Sequence, residues 1–231
     1  MKIIGHIETD FKEKFGIPRQ SGLVKESKGK ILFEKEYNVP EAFRGLEDFS
    51  HIWVLWQFSE AIREDWSPTV RPPLLGGNKR MGVFATRSPF RPNSVGLSAL
   101  RLDRVEINST EGVVLYVSGA DLLNGTPIYD IKPYLPYADS IPDAVGGFTE
   151  NLTERRLEVD FPADLLDKVN EDKRNTLIAV LAADPRPSYQ NDPEREYGMR
   201  FAEYEVKFRV EGKMLKVTDV TVKESTGVCC R

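Results

Sequence analysis

The stretch RPPLLGGNKRMGVFATRSPFRPNSVGLS, from Arg71 to Ser98, sets the organisation of the first half of the chain. Its glycines let the backbone turn tightly or approach a ligand closely, and its prolines fix φ and stiffen the loops. It contains no carboxylate but carries several cations, namely Arg71, Lys79, Arg80, Arg87 and Arg91. Guanidinium groups without local acids are free to bind an anion. We therefore expect this stretch to contact a negatively charged ligand.

The overall composition is that of an ordinary soluble globular protein. The 231 residues, 40% of them hydrophobic and 29% charged, suffice for one large or two small domains. The formal net charge of -4 argues against a general binder of nucleic acid or anionic membranes. From Arg63 to Arg104, however, eight basic residues stand against three acids, a local charge of +5 (eight minus three). One face of the molecule is therefore expected to be basic.

The sequence also lacks the signals of several other kinds of protein. No apolar run reaches the length of a membrane span and the N-terminus has no signal-peptide core, so no membrane association is expected. The two cysteines, Cys229 and Cys230, are adjacent, which suits a reducing cytoplasm better than a fold stapled by disulfides. His6 and His51 belong to no metal-binding motif, so no metal site is expected.

Strand patterns dominate the first unit, which we place at residues 1–147. They occur in KIIGHIE, ILFEKEY, MGVFAT, GLSALRLDRVEI and VVLYVSGA. The run IWVLWQF is apolar and aromatic, which predicts a central strand buried on both faces. Residues 38–49 place apolar side chains at helical spacing, which predicts one short helix. Many strands with a single early helix favour a closed or nearly closed β-barrel.

The second unit, residues 148–231, is predicted to be α+β. Residues 161–184 carry leucines and valines at spacings typical of one amphipathic helix or two short ones. From Ala202 apolar and charged side chains alternate, and the turn EGK leads to a partner strand through Val222. The predicted fold class is therefore mainly β, a barrel followed by a smaller α+β unit whose hairpin buries one face.

Two loops could carry chemistry in the first unit. RSPFRPN presents Arg87, Arg91 and Asn93 from a turn, where they could bind an adenine edge, a carboxylate or a phosphate. The alternative is that these arginines pair with surface acids or cap carbonyls. In an extended segment alternate residues share a face, so Asp130, Lys132 and Tyr134 could form a wall suited to proton handling. A salt bridge covered by a tyrosine explains these three residues equally well.

The second unit contains a smaller polar cluster in ADPRPSY, formed by Asp184, Arg186 and Tyr189. A plain helix end would also account for it. The whole chain lacks GxGxxG and GxxxxGK[ST], which excludes a Rossmann dinucleotide site and a Walker phosphate loop. From the residues alone, a small-molecule or nucleotide site on a β scaffold is expected.

Several motifs resemble one protein family over most of the chain. GIPRQSGLV, FRGLEDFSHIWVLWQF, the stretch from Arg71 to Ser98 and GADLLNGTPIYDIKPYLPYAD are similar to the TsaA-like (YaeB, VirR) domain of the TrmO family, and ADPRPSY resembles its C-terminal element. The resemblance implies a β-barrel tRNA methyltransferase that uses S-adenosylmethionine to methylate the exocyclic N6 of threonylcarbamoyladenosine at position 37. It also implies a cytoplasmic homodimer that needs no metal.

Carried over by position, the resemblance implies a methyl-donor site formed by Pro18, Arg19, Gln20, Phe58, Ser59, Arg87, Leu97, Asp121, Leu122, Leu123 and Asn124. Ser59 stands where the family usually has a histidine, and Asn124 where it usually has an acid. We expect tRNA to contact Lys79, Arg80, Arg91, Asn93, Lys132 and Arg186. We assign the catalytic proton transfer to Asp130 or Tyr134.

Two other functions fit parts of the same pattern. The chain could be a regulatory module that binds S-adenosylmethionine without consuming it, or a methyltransferase of the same fold with another substrate. The presence of both the donor loops and the second unit favours the tRNA methyltransferase, because a bare sensor would not need the second unit.

Overall fold

A computed structural model describes residues 1–63, 65–150, 156–187, 190 and 192–223. Its strands, in chain order, are β1 (Gly5–Thr9), β2 (Lys28–Phe33), β3 (His51–Gln57), β4 (Thr69–Val70), β5 (Met81–Gly82), β6 (Val95–Ser109), β7 (Gly112–Ser118), β8 (Thr126–Pro133), β9 (Glu158–Asp160), β10 (Tyr197–Phe201), β11 (Tyr204–Glu211) and β12 (Met214–Val222). Its α-helices are α1 (Pro136–Asp139), α2 (Ala163–Leu166) and α3 (Glu171–Ala182). Short 3-10 turns occur at Pro40–Phe43, Leu46–Asp48, Ser59–Ala61, Pro73–Leu75, Val83–Ala85 and Gly147–Thr149.

Within the described residues, six antiparallel strands close into a barrel in the order β1-β2-β7-β6-β3-β8. The closure of β8 onto β1 removes the sheet edges, which would otherwise expose unpaired backbone groups. The barrel interior holds apolar side chains from every strand. The predicted mainly β fold with a barrel is therefore confirmed.

Strand β3 shows how the barrel selects which side chains are buried. Ile52, Val54 and Trp56 point inward and are buried, whereas the residues between them are only half-buried. This alternation corrects the prediction of a strand buried on both faces. A closed barrel has one interior, so even an aromatic strand keeps a second, partly exposed face. On that outer face the ring of Trp53 packs beside Tyr134, with 5.5 Å between the ring centroids.

Two local predictions are wrong. Residues 38–49 form two 3-10 turns rather than one helix, because Gly45 between them has a φ of 84°, outside the helical region. In MGVFAT only Met81–Gly82 pairs as a strand, and the next three residues form a 3-10 turn. Both segments lie between barrel strands, and Phe43 of the first is buried in the apolar core of the barrel.

The second half of the chain forms a four-stranded sheet in the order β10-β11-β12-β9. Strand β9 is parallel to β12, and the other neighbours are antiparallel. Leu177 and Leu181 of α3 are buried in the same apolar cluster as Phe208 and Leu215 of the sheet. This arrangement is the α+β unit expected from the alternating pattern of the hairpin.

The N-terminal loop between β1 and β2 belongs to the core of this second unit. Phe11 and Val24 are buried in its apolar cluster, and Phe11 lies edge-on to Phe201 with ring centroids 6.1 Å apart. The backbone of Phe11 also pairs with that of Phe201. The boundary between the two units at Gly147 therefore stays a prediction. Part of the first 30 residues packs in the core of the second unit, although it precedes that boundary in the sequence.

Among the residues that the structure describes, no helix is long and apolar enough to cross a membrane. The predicted features of Cys229 and Cys230 lie outside the described residues, as does Tyr189 of the ADPRPSY motif.

Candidate functional site

A chain of buried polar groups occupies one end of the barrel. The indole nitrogen Nε1 of Trp56 donates a hydrogen bond to Oγ of Ser98 at 3.0 Å. The same Oγ donates to Oδ1 of Asp121 at 2.7 Å. Ser98 is only 1% exposed, so this chain fixes the Asp121 carboxylate from the inside of the barrel. An oriented, partly desolvated carboxylate is a strong electrostatic feature.

Gly96 makes this arrangement sterically possible. It pairs with Trp56 across β6 and β3, and a Cβ at position 96 would lie 2.2 Å from the indole ring. Because glycine has no Cβ, the indole can lie directly over the strand. The ring of Phe58 then packs against the indole with 4.1 Å between centroids. The barrel end therefore combines an aromatic pair with the half-buried carboxylate.

Asp121 is the described acid whose ionisation is most affected by its surroundings. Burial raises the pKa of its carboxyl to about 6, and the hydrogen bond from Ser98, the backbone amides of Asp121 and Ser21, and the charge of Arg87 oppose that rise. The guanidinium of Arg87 donates to the side-chain oxygen of Gln20. The structure thus brings three of the predicted donor-site residues, Gln20, Arg87 and Asp121, to the same end of the barrel.

The segment after Asp121 is held by strand β1. The backbone amide of Thr9 donates to Oδ1 of Asn124 at 3.0 Å, and its hydroxyl donates to the carbonyl of Leu122 at 3.0 Å. The carbonyl of Leu123 accepts the hydroxyl of Thr126 at 2.7 Å. Asn124 therefore has a structural role, because its amide oxygen caps the end of β1, where a carboxylate would also accept the backbone amide.

Arg19 connects the loop that carries Gln20 to the second unit. Its guanidinium donates to the carbonyl oxygen of Arg186 at 2.8 Å, and the adjacent Pro18 is buried. The guanidinium of Arg186 in turn donates two hydrogen bonds to Asp184, from Nε to Oδ1 at 2.9 Å and from Nη2 to Oδ2 at 3.1 Å. With 6% exposure, Arg186 offers no open guanidinium to a nucleic acid, which argues against its predicted contact with tRNA.

The residues predicted to handle the proton lie on the outer face of the barrel. Asp130 pairs across the sheet with Leu55, and Lys132 with Trp53. The amine of Lys132 lies 3.1 Å from Oδ2 of Asp130. Leu97 of β6 is the other cross-strand partner of Leu55 and is more than half exposed. One donor-site residue and the Asp130–Lys132 pair are therefore on the same face, joined by strand β3.

The cations predicted to contact tRNA differ in how they are held. Nη1 of Arg91 donates to the carbonyls of Val83 at 3.1 Å and Thr86 at 2.7 Å, so it caps backbone as the alternative interpretation proposed. Nη1 of Arg80 donates to the hydroxyl of Thr69 at 3.0 Å and remains exposed. The remaining predicted residues of this set are exposed: Lys79, Asn93 and Lys132. The remaining donor-site residue, Ser59, begins an exposed 3-10 turn.

Neither histidine belongs to the hydrogen-bonded chain of Trp56, Ser98 and Asp121. Nδ1 of His6 lies 3.1 Å from a Glu34 oxygen, and Nδ1 of His51 lies 2.9 Å from the Ser50 hydroxyl. Over the described ranges, no group of three or more histidine, cysteine or acidic side chains is placed to hold a metal ion.

Sequence reasoning missed Trp56, Gly96 and Ser98 as parts of the site. The apolar run around Trp56 predicts only a core residue, and burial alone gives no reason to separate it from Ile52 or Val54. The alternation of faces along a strand could have identified Ser98. Gly96, Ser98 and Leu100 are at every second position of β6 and so share its inner face, where a buried hydroxyl needs a polar partner.

Comparison with known proteins agrees with this architecture. The tRNA-methyltransferase O N-terminal domain matches residues 6–140, and the TrmO C-terminal domain matches residues 154–223. A tRNA (adenine(37)-N6)-methyltransferase of Escherichia coli (strain K12) is 43% identical over 215 residues, which cover 90% of this chain and 91% of the relative. A probable S-adenosyl-L-methionine-binding protein of Pyrococcus abyssi is 38% identical over 136 residues, 59% of this chain and 68% of that protein.

A solved structure extends the match to the whole architecture. A crystal structure of TrmO from Pseudomonas aeruginosa superposes with a TM-score of 0.77 at 34% identity, covering 95% of each chain. Two domain matches in the expected order, a relative aligned over nine-tenths of its length and a shared fold identify the same family. The chain belongs to the tRNA-methyltransferase O family.

Proposed function

We propose that this chain transfers a methyl group from S-adenosylmethionine to the exocyclic N6 of adenosine 37 in tRNA, carried there as threonylcarbamoyladenosine. The observation that supports this most is the half-buried Asp121 carboxylate within the electrostatic reach of Arg87, which binds Gln20, on a chain whose family is named for tRNA methylation. The E. coli relative carries the same activity in its name.

The residues at the barrel end fit the chemical groups of the donor. S-adenosylmethionine supplies an activated methyl group, and its methionine part bears a sulfonium, an ammonium and a carboxylate. The Asp121 carboxylate complements the positive groups, and the Arg87 guanidinium and Gln20 amide suit the carboxylate. The rings of Trp56 and Phe58, which pack together at an interplanar angle of 55°, offer apolar surface for an adenine.

The remaining donor-site residues shape this pocket. Pro18 is buried and Arg19 is tied to the second unit, and the amide of Gly22 donates to the carbonyl of Gly119 at 2.9 Å, so the loop is held on both sides of Gln20. Leu122 and Leu123 fix the segment after Asp121 through their carbonyls. Ser59 and Leu97 are exposed at its border, where a substrate can reach them.

Proton transfer is assigned to the outer face. The target nitrogen is urea-like, and its lone pair is delocalised, so a base that removes its proton favours attack on the methyl group. Asp130 is held by Lys132 and can accept that proton, and Tyr134, whose ring lies beside Trp53, is the second candidate further along the same face. Lys132 can then bind the threonyl carboxylate of the substrate. In-line methyl transfer needs positioning rather than a metal.

The wider assignments follow from the same proposal. The exposed Lys79, Arg80 and Asn93 contact tRNA, while Arg91 orders the loop after β5, which carries Asn93. We also propose that the protein acts as a cytoplasmic homodimer without a metal.

A regulatory module that only binds S-adenosylmethionine is the second candidate. The P. abyssi relative, whose name records binding alone, matches 59% of this chain. The contact from Arg19 to Arg186 favours the enzyme, because it couples the donor loop to the unit that a sensor would not need.

The test is methyl transfer by the purified chain from labelled S-adenosylmethionine to unmethylated tRNA, followed by nucleoside analysis. We expect label on the modified adenosine at position 37 and none on a matched tRNA with guanosine there. Donor binding without transfer would support the regulatory module, and label on another molecule would support a different substrate.

A further inference from the structure

Two exposed aromatic rings lie together beside the basic loops. Phe84 is 70% exposed and Trp66 is 49% exposed, and their ring centroids are 6.0 Å apart at an interplanar angle of 32°. A single exposed apolar residue needs no explanation, but two large rings in contact at the surface form a platform. We define the aromatic platform as Trp66 and Phe84.

The fold holds this platform open. The short ladder of β4 and β5 pairs Thr69 with Gly82, which brings the residues flanking the ladder together. Val83 is buried to 1% exposure and anchors the 3-10 turn, so the next residue, Phe84, is directed away from the core. Both rings are therefore surface residues, which the backbone directs to solvent.

Arg91 lies beside the platform, and Arg63 and Arg80 lie on the neighbouring segments of the chain. The guanidinium of Arg91 lies 5.4 Å from the centroid of Phe84, and that of Arg63 lies 4.0 Å from the centroid of Phe90. Arg80 is exposed at the neighbouring ladder. Positive charge that follows a stacking surface is the arrangement by which proteins bind unpaired nucleotides: cations contact the phosphates, and rings stack on the bases.

We propose that the aromatic platform stacks unpaired bases of the anticodon loop and so positions the RNA for reaction. This inference rests on the proposed function and adds the residues that recognise the single-stranded part of the substrate. Base stacking accepts any base, so the platform supplies affinity and position rather than sequence selection.

Charge favours RNA over a second copy of this chain as the occupant. In a two-fold symmetric dimer that met through this patch, each copy would present its own platform to the other. The Arg91 guanidinium beside one platform would then approach the same group of the other copy, and like charges at such an interface are unfavourable. A polyanion with exposed bases complements both the charge and the rings.

The test compares Phe84→Ala and Trp66→Ala with wild type, using a labelled RNA hairpin with an unpaired loop and a fully paired duplex of equal length. Each variant should bind the hairpin about 5- to 150-fold more weakly, the range expected for one lost base stack, with little change for the duplex. The slope of affinity against salt should stay the same, because no phosphate contact is removed. Phe84→Trp should restore binding.

The matched control is Tyr137→Ala, which removes an exposed aromatic ring from α1, outside this patch. It should bind the hairpin like wild type. Donor affinity, measured by calorimetry, should be unchanged in all variants, which shows that they fold.

Three results would contradict the proposed role of the aromatic platform in RNA binding. Hairpin binding by both alanine variants equal to wild type would remove the rings from the RNA site. An equal loss for hairpin and duplex would indicate a general surface effect. A change from dimer to monomer on sedimentation would make the patch a contact between copies. If wild type itself neither binds nor methylates tRNA, the proposed function fails, and that outcome is distinct from these three.

Discussion

Replacing Asp121 by asparagine should stabilise the fold and weaken donor binding at the same time. The carboxyl has a pKa of about 6 in the folded chain, against an ordinary value of 3.8, because burial penalises its charge. A shift of about two units corresponds to about 3 kcal/mol at pH values above both pKa values. The folded state is therefore expected to hold a charge that destabilises it at neutral pH.

The pH dependence follows from the direction of the shift. Between pH 4 and pH 6 the folded chain binds more protons at Asp121 than the unfolded chain does, so the free energy of unfolding falls as the pH rises through this window. Above about pH 6 the full penalty is present, and below about pH 4 it is absent. An asparagine side chain at this position cannot ionise, and its amide oxygen can still accept the hydrogen bond from Ser98.

Asp121→Asn should thus raise the free energy of unfolding by up to about 3 kcal/mol at pH 7.5 and change it little at pH 4. Urea unfolding at the two pH values measures the difference. Wild-type donor affinity should fall about tenfold per pH unit below pH 6, since the cationic donor needs the ionised carboxylate, and the variant should lose that dependence. Equal stability at pH 7.5, together with unchanged donor affinity at that pH, would refute this reasoning.

Three further variants test separate parts of the site. Arg87→Ala should weaken donor binding by about 1.5 to 3 kcal/mol, through loss of a charge-assisted hydrogen bond, and unchanged affinity by calorimetry would remove Arg87 from the donor site. Lys79→Glu with Arg80→Glu should weaken tRNA binding and reduce its salt dependence while donor affinity stays constant; wild-type tRNA affinity that is flat with salt would contradict the basic face. Asp130→Asn should lower single-turnover methylation about 100- to 10,000-fold with donor and tRNA binding intact, and a chelator should leave wild-type activity unchanged. A wild-type rate in that variant, or activity lost on chelation and restored by a divalent metal, would reassign the proton transfer, and Tyr134→Phe would be measured next.

Runs of strand-forming residues between turn signals were enough to predict most of the barrel strands, and alternation predicted the C-terminal hairpin. Strands such as β6 and β11 place every second residue in a core, and that period is visible in any single sequence. The prediction of a helix at residues 38–49 was wrong because it considered only the spacing of apolar residues. Gly45 adopts a left-handed backbone conformation, which ends the helical turn before it.

The long-range features of the site were beyond such local patterns. Trp56 and Ser98 are 42 residues apart, and Ser98 and Asp121 are 23 apart, so their contact depends on the register of barrel strands. The place of Phe11 in the second core likewise depends on a loop reaching across to β10. Gln20 came from motif resemblance, and Arg87 from both the acid-free loop and the resemblance; only the fold shows that their side chains are hydrogen-bonded.

Mass spectrometry of nucleosides from the anticodon loops of cells that lack this gene tests whether the protein methylates adenosine 37. We predict that threonylcarbamoyladenosine at position 37 loses one methyl group, and that the wild-type gene restores it while the Asp130→Asn variant does not. Full methylation at that position in the deleted strain would contradict it.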